Sequence, residues 1–281
     1  RSSGQGTALV GLTDVFLDAK GYITDSEFKE FCSDVVPLAK FTKFTYTPAE
    51  NFDADIVLNE NVLNDDFSLN GMPKNRWEPI GINNDCYFQG NFDGQGHTIS
   101  GAYIVATEEN PALFGYINGG SISNLSLVDT YSEGNNAAGL VFSIGYNVAS
   151  TVSRCYVEAS VKAKNYGHVL AYQLAGTNSL LENCYVSGKI EAKYPGALLY
   201  YPSNGNVRNC FSAVSGAKAM NSTNTNVSLI KNVYSDSDLG SAFSMENNYH
   251  SKQTIEMHTT DFADLMGEPF EYVMGNYPYI P

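Results

Sequence analysis

The segment Leu181-Glu-Asn-Cys-Tyr185 decides the fold, because the chain repeats its five-residue pattern. The five positions hold, in order, an aliphatic residue, a polar residue, a turn residue, an inward-facing residue and an aromatic residue. The copies are Ile99-Ser-Gly-Ala-Tyr103, Ile122-Ser-Asn-Leu-Ser126, Val152-Ser-Arg-Cys-Tyr156, Leu181-Glu-Asn-Cys-Tyr185, Val207-Arg-Asn-Cys-Phe211, Ile230-Lys-Asn-Val-Tyr234 and Met245-Glu-Asn-Asn-Tyr249. Their third positions are separated by 23, 30, 29, 26, 23 and 15 residues. Such spacings are typical of repeat proteins with one supersecondary unit per repeat.

The third position of the pattern is a predicted corner between two strands. It is glycine once and asparagine five times, and these residues enter the left-handed backbone region at low cost. Arg154 breaks this rule, and nothing in the sequence explains it. After each corner apolar and polar residues alternate, as they do from Cys155 to Lys162. This alternation predicts a strand with one face in the core and the other facing outward.

A second periodic element lies between the copies of the first. It reads Ala112-Leu-Phe-Gly, Gly139-Leu-Val-Phe, Val169-Leu-Ala-Tyr and Ala197-Leu-Leu-Tyr. Each repeat therefore offers at least two short strands and two turns. Stacking such units at the sheet spacing of about 4.8 Å would bury the apolar face and align the corner asparagines into a ladder of amides. We therefore predict an all-β fold, a single-chain, right-handed parallel β-helix.

The ends of such a stack expose unpaired strand edges and open core, so both ends need a cover. We predict an N-terminal capping segment over residues 1–50, the parallel β-helix over 51–252 and a C-terminal capping segment over 253–281, all in one structural domain. The last of these contains a predicted helix within Met257 to Met266, with Thr259 or Thr260 as its N-cap.

The N-terminal cap is predicted to contain a short amphipathic helix over Ile23 to Val35. Thr24 suits the N-cap, and Glu27 three residues later suits its capping-box partner. A calcium-binding loop ending at Glu27 is the alternative. It fits poorly, because Phe16 and Lys20 would occupy positions where the ion needs oxygen ligands.

Composition and charge exclude several classes of function. The chain has 16 basic and 30 acidic residues among 281, a formal net charge of -14 that would repel nucleic acid or an anionic membrane. No window approaches 18 consecutive apolar residues, so no transmembrane segment is expected. Because the sequence opens at Arg1 without Met, we expect a mature or trimmed chain whose targeting signal has been removed.

The cysteines do not form the dense, even framework of a small disulfide-stapled domain. The β-helix places Cys155, Cys184 and Cys210 as parallel inward-facing neighbours, a poor geometry for a disulfide, so we predict buried free thiols. No CxxC pair or cluster of His and Cys supports a zinc site. We expect no metal and no cofactor.

Several blocks resemble the GLUG-motif repeat proteins of bacterial cell surfaces, an adhesin-like family. They are Trp77-Glu-Pro-Ile-Gly81, Phe88 to Gly101, Ala112-Leu-Phe-Gly and Asn183-Cys-Tyr-Val-Ser-Gly188. The resemblance covers roughly residues 20 to 281, although the Gly-Leu core of the motif at Gly139 and Leu140 is lost in later copies. It implies a β-helical, exported protein of the bacterial envelope, secreted or at the cell surface. It implies no catalytic residue, because the shared positions are turn and core positions.

The last position of each copy predicts an outward stripe of aromatic side chains, interrupted only at Ser126. The candidate ligand-binding residues are Tyr103, Tyr156, Tyr185, Phe211, Tyr234 and Tyr249. Flat aromatic faces with nearby hydroxyls suit the stacking of sugar rings, so the expected partners are glycans or host and matrix surface proteins. A structural alternative is that the rings only stabilise neighbouring coils, or that a loop covers them. The sequence leaves the oligomeric state open.

Two further functions are alternatives to a non-enzymatic binding module. Parallel β-helices often carry polysaccharide lyases or glycoside hydrolases, which need converging acids or a base. The candidate groups are Asp65, Asp66, Asp85, Asp93 and His97. None recurs in a paired arrangement, and Asp93 is better interpreted as a turn former, so we expect no catalysis. A stalk without its own ligand is the second alternative. We interpret the remaining histidines as surface or loop residues: His168, His250 and His258.

Overall fold

The computed structural model describes residues 55–81, 83–84, 87–106, 110–220, 229–240 and 249–281. The N-terminal helix expected at Ile23 to Val35, its calcium-loop alternative and the candidate acid Asp85 lie outside these residues. Within them the strands form three sheets whose named pairings are all parallel. The predicted all-β, parallel β-helical fold is confirmed.

The main sheet contains most of the strands. They are β1 (Ile56–Val57), β2 (Asn91–Asp93), β3 (Thr98–Ser100), β4 (Tyr103–Val105), β6 (Ser121–Gly134), β9 (Thr151–Ala163), β12 (Leu180–Glu182), β13 (Tyr185–Glu191), β16 (Asn206–Ser215), β17 (Ile230–Asp236) and β18 (Tyr249–Lys252). The second sheet consists of β7 (Ala137–Ala138), β10 (Tyr166–His168) and β14 (Tyr194–Gly196). The third consists of β5 (Phe114–Ile117), β8 (Val141–Ile144), β11 (Ala171–Leu174) and β15 (Tyr201–Pro202). The four strands of the third sheet correspond to about four coils.

The first position of the pattern forms a continuous line through the core. Register pairs the aliphatic residues Ile122, Val152, Leu181, Val207 and Ile230 from coil to coil, and each is at most 1% exposed. The three inward cysteines lie beside this line, and all are buried free thiols, as predicted. Burial raises the pKa of the Cys184 thiol, which keeps it neutral and apolar in character.

The predicted corner is confirmed at the third position of five copies. Asn124, Arg154, Asn183 and Asn209 have φ of 51°, 52°, 51° and 51°, and Asn232 has 57°, all in the left-handed region. The amide ladder forms where asparagines are adjacent. The Nδ2 atom of Asn209 donates to Oδ1 of Asn183 at 3.2 Å, and that of Asn232 donates to Oδ1 of Asn209 at 3.1 Å.

The assignment of Gly101 to this corner line is wrong. Gly101 has a φ of 74°, but its N–H donates to Val128 O, so it stacks beside Asp129, which has a φ of 50°. Ile99 pairs with Leu127 and not with Ile122. The reason is that β6 contains two corners in succession, and Leu127-Val-Asp-Thr-Tyr131 is a further copy of the pattern.

The C-terminal segment, residues 254–281, contains helices α1 (Thr254–Met257) and α2 (Thr260–Met266). The N-cap of α2 is Thr259, one of the two predicted candidates, and its side chain accepts a hydrogen bond from Phe262 N. This segment packs against the outward face of the main sheet, where Phe262, Met266 and Phe270 join an apolar cluster with residues of β16 and β17.

Candidate functional site

Four of the six predicted aromatic residues form one line on the outward face of the main sheet. We call Tyr156, Tyr185, Phe211 and Tyr234 the first aromatic column, since strand register pairs each with the next. The Tyr156 and Tyr185 rings stack at 4.3 Å and 17°, and the Tyr185 and Phe211 rings at 5.0 Å and 17°. Stacking occupies ring faces along the column, so the outer surface presents ring edges and hydroxyls.

The C-terminal segment covers Phe211 and Tyr234 of the first aromatic column, and its Phe270 ring also lies edge-on to Tyr185 at 6.2 Å. The Phe262 ring lies edge-on to Phe211 at 5.6 Å and to Tyr234 at 5.3 Å. Phe211 is fully buried and Tyr234 is 6% exposed, so the expectation that both rings face solvent is wrong. The physical reason is that α2 and the chain after it bury their own apolar side chains on these rings.

Asp236 anchors this segment at the end of β17. Its carboxylate is buried and accepts hydrogen bonds from the Thr254 hydroxyl at 2.6 Å and from the Tyr277 hydroxyl. Burial, and then the neighbouring Asp236 carboxylate, raise the pKa of the Tyr277 phenol. Hydrogen bonds to an ionised acceptor are stronger than neutral ones, so Asp236 holds both ends of the segment against the sheet.

The other two predicted residues lie off the first aromatic column. Tyr249 pairs with the inward-facing Val233, is 1% exposed, and accepts hydrogen bonds from backbone N–H groups in the core, so its outward placement is wrong. His250 takes the outward position beside Tyr234 instead. Tyr103 is half-exposed but stacks on Tyr131 at 6.1 Å, in the displaced register of β4.

A second aromatic column lies on the outward face of the third sheet. It consists of Tyr116, Phe142, Tyr172 and Tyr200, one ring from each successive coil. The Phe142 and Tyr172 rings stack at 4.8 Å, the Tyr172 and Tyr200 rings stack at 6.0 Å, and Tyr116 packs against Phe142 at 5.5 Å. Phe142 is buried, whereas the three tyrosines are half-exposed. Burial raises the pKa of the Tyr116 phenol.

Two further tyrosines, Tyr166 and Tyr194, extend this surface across the corner to the second sheet; we call them the corner tyrosines. They stack on each other at 5.1 Å, and the Tyr166 ring is inclined by 54° to Tyr172 and by 70° to Tyr200. Both corner tyrosines are half-exposed. The stacked rings of the second aromatic column and the stacked corner tyrosines therefore meet at an angle. Because of this angle, part of the ring surface does not face a stacking neighbour.

Amide side chains border this aromatic surface. The Nδ2 atom of Asn165 donates to Oδ1 of Asn135 at 2.9 Å, and the Nδ2 atom of Asn136 donates to Oδ1 of Asn110 at 3.2 Å. Asn110 in turn donates to the Tyr116 hydroxyl at 3.2 Å. These half-buried amides and phenols place neutral donors and acceptors beside aromatic carbon, the combination that recognises hydroxylated ligands.

His168 lies beneath the second aromatic column, so its interpretation as a surface or loop residue is wrong. Its ring is fully buried, 5.5 Å from the Tyr172 ring and 6.1 Å from the Tyr200 ring. Its Nδ1 atom is 2.8 Å from the Gly196 carbonyl oxygen and must carry the proton, while Nε2 has no hydrogen-bond partner. Burial lowers the pKa of His168 to about 3, so the ring is neutral.

Three of the candidate catalytic groups, Asp66, Asp93 and His97, make contacts with nearby side chains or backbone. Asp93 accepts hydrogen bonds from Gln95 N and from Asn124 Nδ2, the turn-forming role expected of it. Asp66 accepts from Ser68, and His97 Nδ1 lies 3.7 Å from Asp55. Among the described residues, no three His, Cys, Asp or Glu side chains come together as a metal site.

The second aromatic column was missed by sequence reasoning, although its signal was present. The second periodic element ends in Phe142, Tyr172 and Tyr200, so the aromatic residue recurs at the period of the repeat. The corner tyrosines carry a weaker signal, because Tyr166 and Tyr194 recur only once.

Comparison with known proteins supports the fold. The chain is similar to a crystal structure from Bacteroides ovatus described as a candidate immunoglobulin A1 protease, with a TM-score of 0.63 and 16% identity, covering 92% of this chain and 93% of that one. No protein-family model and no curated protein matches the sequence. Within the described residues, no helix has the length and hydropathy that a membrane-spanning helix needs. At this identity the structural likeness establishes a shared β-helical fold.

Proposed function

We propose that the protein is a non-enzymatic, adhesin-like module of the bacterial envelope that binds carbohydrate. The observation that carries this proposal is the half-exposed aromatic surface formed by the second aromatic column and the corner tyrosines, bordered by asparagine side chains. The exported, surface location follows from the resemblance to GLUG-motif repeat proteins and is part of the proposal.

The chemistry of this surface suits sugars. Sugar rings offer C–H groups that pack on aromatic carbon and hydroxyls that exchange hydrogen bonds with amides and phenols. Aromatic rings are rigid, so ordering them around a ligand costs little conformational entropy. Since the surface repeats from coil to coil, it can hold several units of a polymer.

The experiment compares two matched pairs of stacked tyrosines on the same coils. The purified protein is applied to a glycan and matrix-protein array, together with the Tyr166→Ala/Tyr194→Ala and Tyr156→Ala/Tyr185→Ala variants. We expect wild type to bind a glycan, the first variant to bind it at least about tenfold more weakly, and the second to keep its affinity.

Other outcomes would overturn the proposal in distinct ways. Loss of binding only in the Tyr156→Ala/Tyr185→Ala variant would place the ligand on the first aromatic column, as the sequence predicts. Turnover of a glycan would favour the carbohydrate-active enzyme, and binding to matrix proteins alone would exclude a carbohydrate ligand. Binding to nothing on the array would favour the stalk.

A further inference from the structure

Two exposed lysines adjoin the corner tyrosines, Lys193 in space and Lys164 in sequence. The Lys193 ammonium lies 5.0 Å from the centre of the Tyr194 ring, and Lys164 is exposed two residues before Tyr166 in the preceding coil. Lys193 is also exposed, and neither lysine forms an ion pair with a described residue.

Among the described residues, two carboxylates near this corner are paired with other lysines. Glu133 pairs with Lys162 at 3.1 Å and Glu191 pairs with Lys189 at 3.3 Å. The described residues of this corner therefore carry two lysines without a carboxylate partner, on a chain whose formal net charge is -14. Local positive charge favours ligands that carry negative charge.

We infer that the ligand is an acidic polysaccharide, with carboxylate or sulfate groups on its sugars, and that it lies along the axis of the coils. This inference rests on the proposed function and narrows its ligand class. Aromatic and amide groups recur on successive coils, about 4.8 Å apart, which is similar to the length of one sugar unit in an extended chain. The sugar rings pack along the corner tyrosines, and the acidic groups face Lys164 and Lys193.

The test uses the full chain and two defined polymers. Binding to polygalacturonate, which carries a carboxylate on each sugar, is compared with binding to a neutral β-glucan at about 50 and 500 mM salt. We expect preference for polygalacturonate, with affinity that falls several-fold at the higher salt concentration. The Lys164→Gln/Lys193→Gln variant should bind polygalacturonate about two- to thirtyfold more weakly, as expected for losing two exposed charge pairs.

The matched control is Lys74→Gln/Lys231→Gln, which removes the same charge from exposed lysines elsewhere. It should keep wild-type affinity for polygalacturonate. If both lysine variants lose affinity equally, or the neutral glucan binds as well as polygalacturonate, the inference is wrong while carbohydrate binding stands. If the protein binds neither polymer nor any array glycan, the proposed function and this inference both fail. DNA binding that depends on Lys164 and Lys193 would also overturn it.

Discussion

The two aromatic columns are built in the same way and end in different environments. Both stack one ring from each coil, as Tyr185 and Phe211 do on the main sheet and Tyr172 and Tyr200 do on the third. The C-terminal segment buries Phe211 and Tyr234 of the first aromatic column, whereas Tyr156, Tyr185 and the tyrosines of the second aromatic column are half-exposed. Repetition therefore determines where aromatic rings align, and a non-repeated segment determines which of them a ligand can reach.

The largest difference between the columns should appear in stability. Phe211→Ala removes a fully buried ring that contacts Tyr185 and three rings of the C-terminal segment, so we expect a loss of about 3–5 kcal/mol in the free energy of unfolding. Tyr172→Ala removes an inner ring of the second aromatic column and should cost about 1 kcal/mol, because that ring is half-exposed. Urea unfolding followed by circular dichroism measures both. Equal losses would show that the columns are buried alike.

The next test releases the cover from the first aromatic column. Asp236→Asn weakens the hydrogen bonds from Thr254 and Tyr277, each made to a buried carboxylate, and should cost about 2 kcal/mol. Hydrogen exchange of residues 254–281 should accelerate, while the third sheet keeps its protection. Asp264→Asn alters an exposed carboxylate on α2 and is the control. Faster exchange throughout both columns would mean that Asp236 supports the whole coil stack and not the cover alone.

The second aromatic column should be the more sensitive of the two to acid. The pKa of His168 is about 3, well below the usual 6.5 of histidine, so folding favours its neutral form. The stability that the folded state gains while His168 is neutral is present in full above about pH 6.5 and is lost as the pH falls towards 3. Between pH 7 and pH 5 wild type should lose about 2 kcal/mol more stability than His168→Phe, which keeps a ring but does not titrate. Parallel pH profiles of urea midpoints test this, and identical slopes would show that His168 charges without opening the column.

The fold was predictable because its signals are local and repeated. Asparagine at the corners, alternation after them and a period near the length of one coil all indicate a parallel stack, and the corner φ angles and amide ladder follow directly. Inward cysteines were predictable for the same reason, since side-chain direction follows strand alternation.

The surface was less predictable, because it depends on contacts between distant parts of the chain. The cover over Phe211 comes from a segment that contains no repeat, and the pattern cannot show where such a segment packs. Register also depends on neighbouring coils. Tyr249 fills an inward position through pairing with Val233, and Gly101 stacks on the second corner of β6. The shift at Tyr249 is one residue and reverses the facing of its side chain, whereas Gly101 is displaced by a whole copy of the pattern; neither shift alters the visible motif.

The smallest expected effect concerns a corner of the coil stack that belongs to neither aromatic column. Arg154 has a φ of 52° in a line otherwise made of asparagines, a conformation that costs arginine more than asparagine. Its place between Asn124 and Asn183 in register interrupts the amide ladder. Arg154→Asn should therefore raise the free energy of unfolding by about 1 kcal/mol, partly by relieving the backbone and partly by completing the ladder.

The same substitution should leave glycan affinity unchanged, because Arg154 lies at a corner of the main sheet and not on the third. Arg154→Ala is the matched variant, since it removes the arginine side chain without supplying an amide and should not stabilise the fold. If Arg154→Asn strengthened both stability and glycan binding, affinity would depend on the rigidity of the coil stack, and the aromatic surface could not be treated as an independent site. An unchanged affinity in a more stable protein would instead assign recognition to the exposed rings themselves.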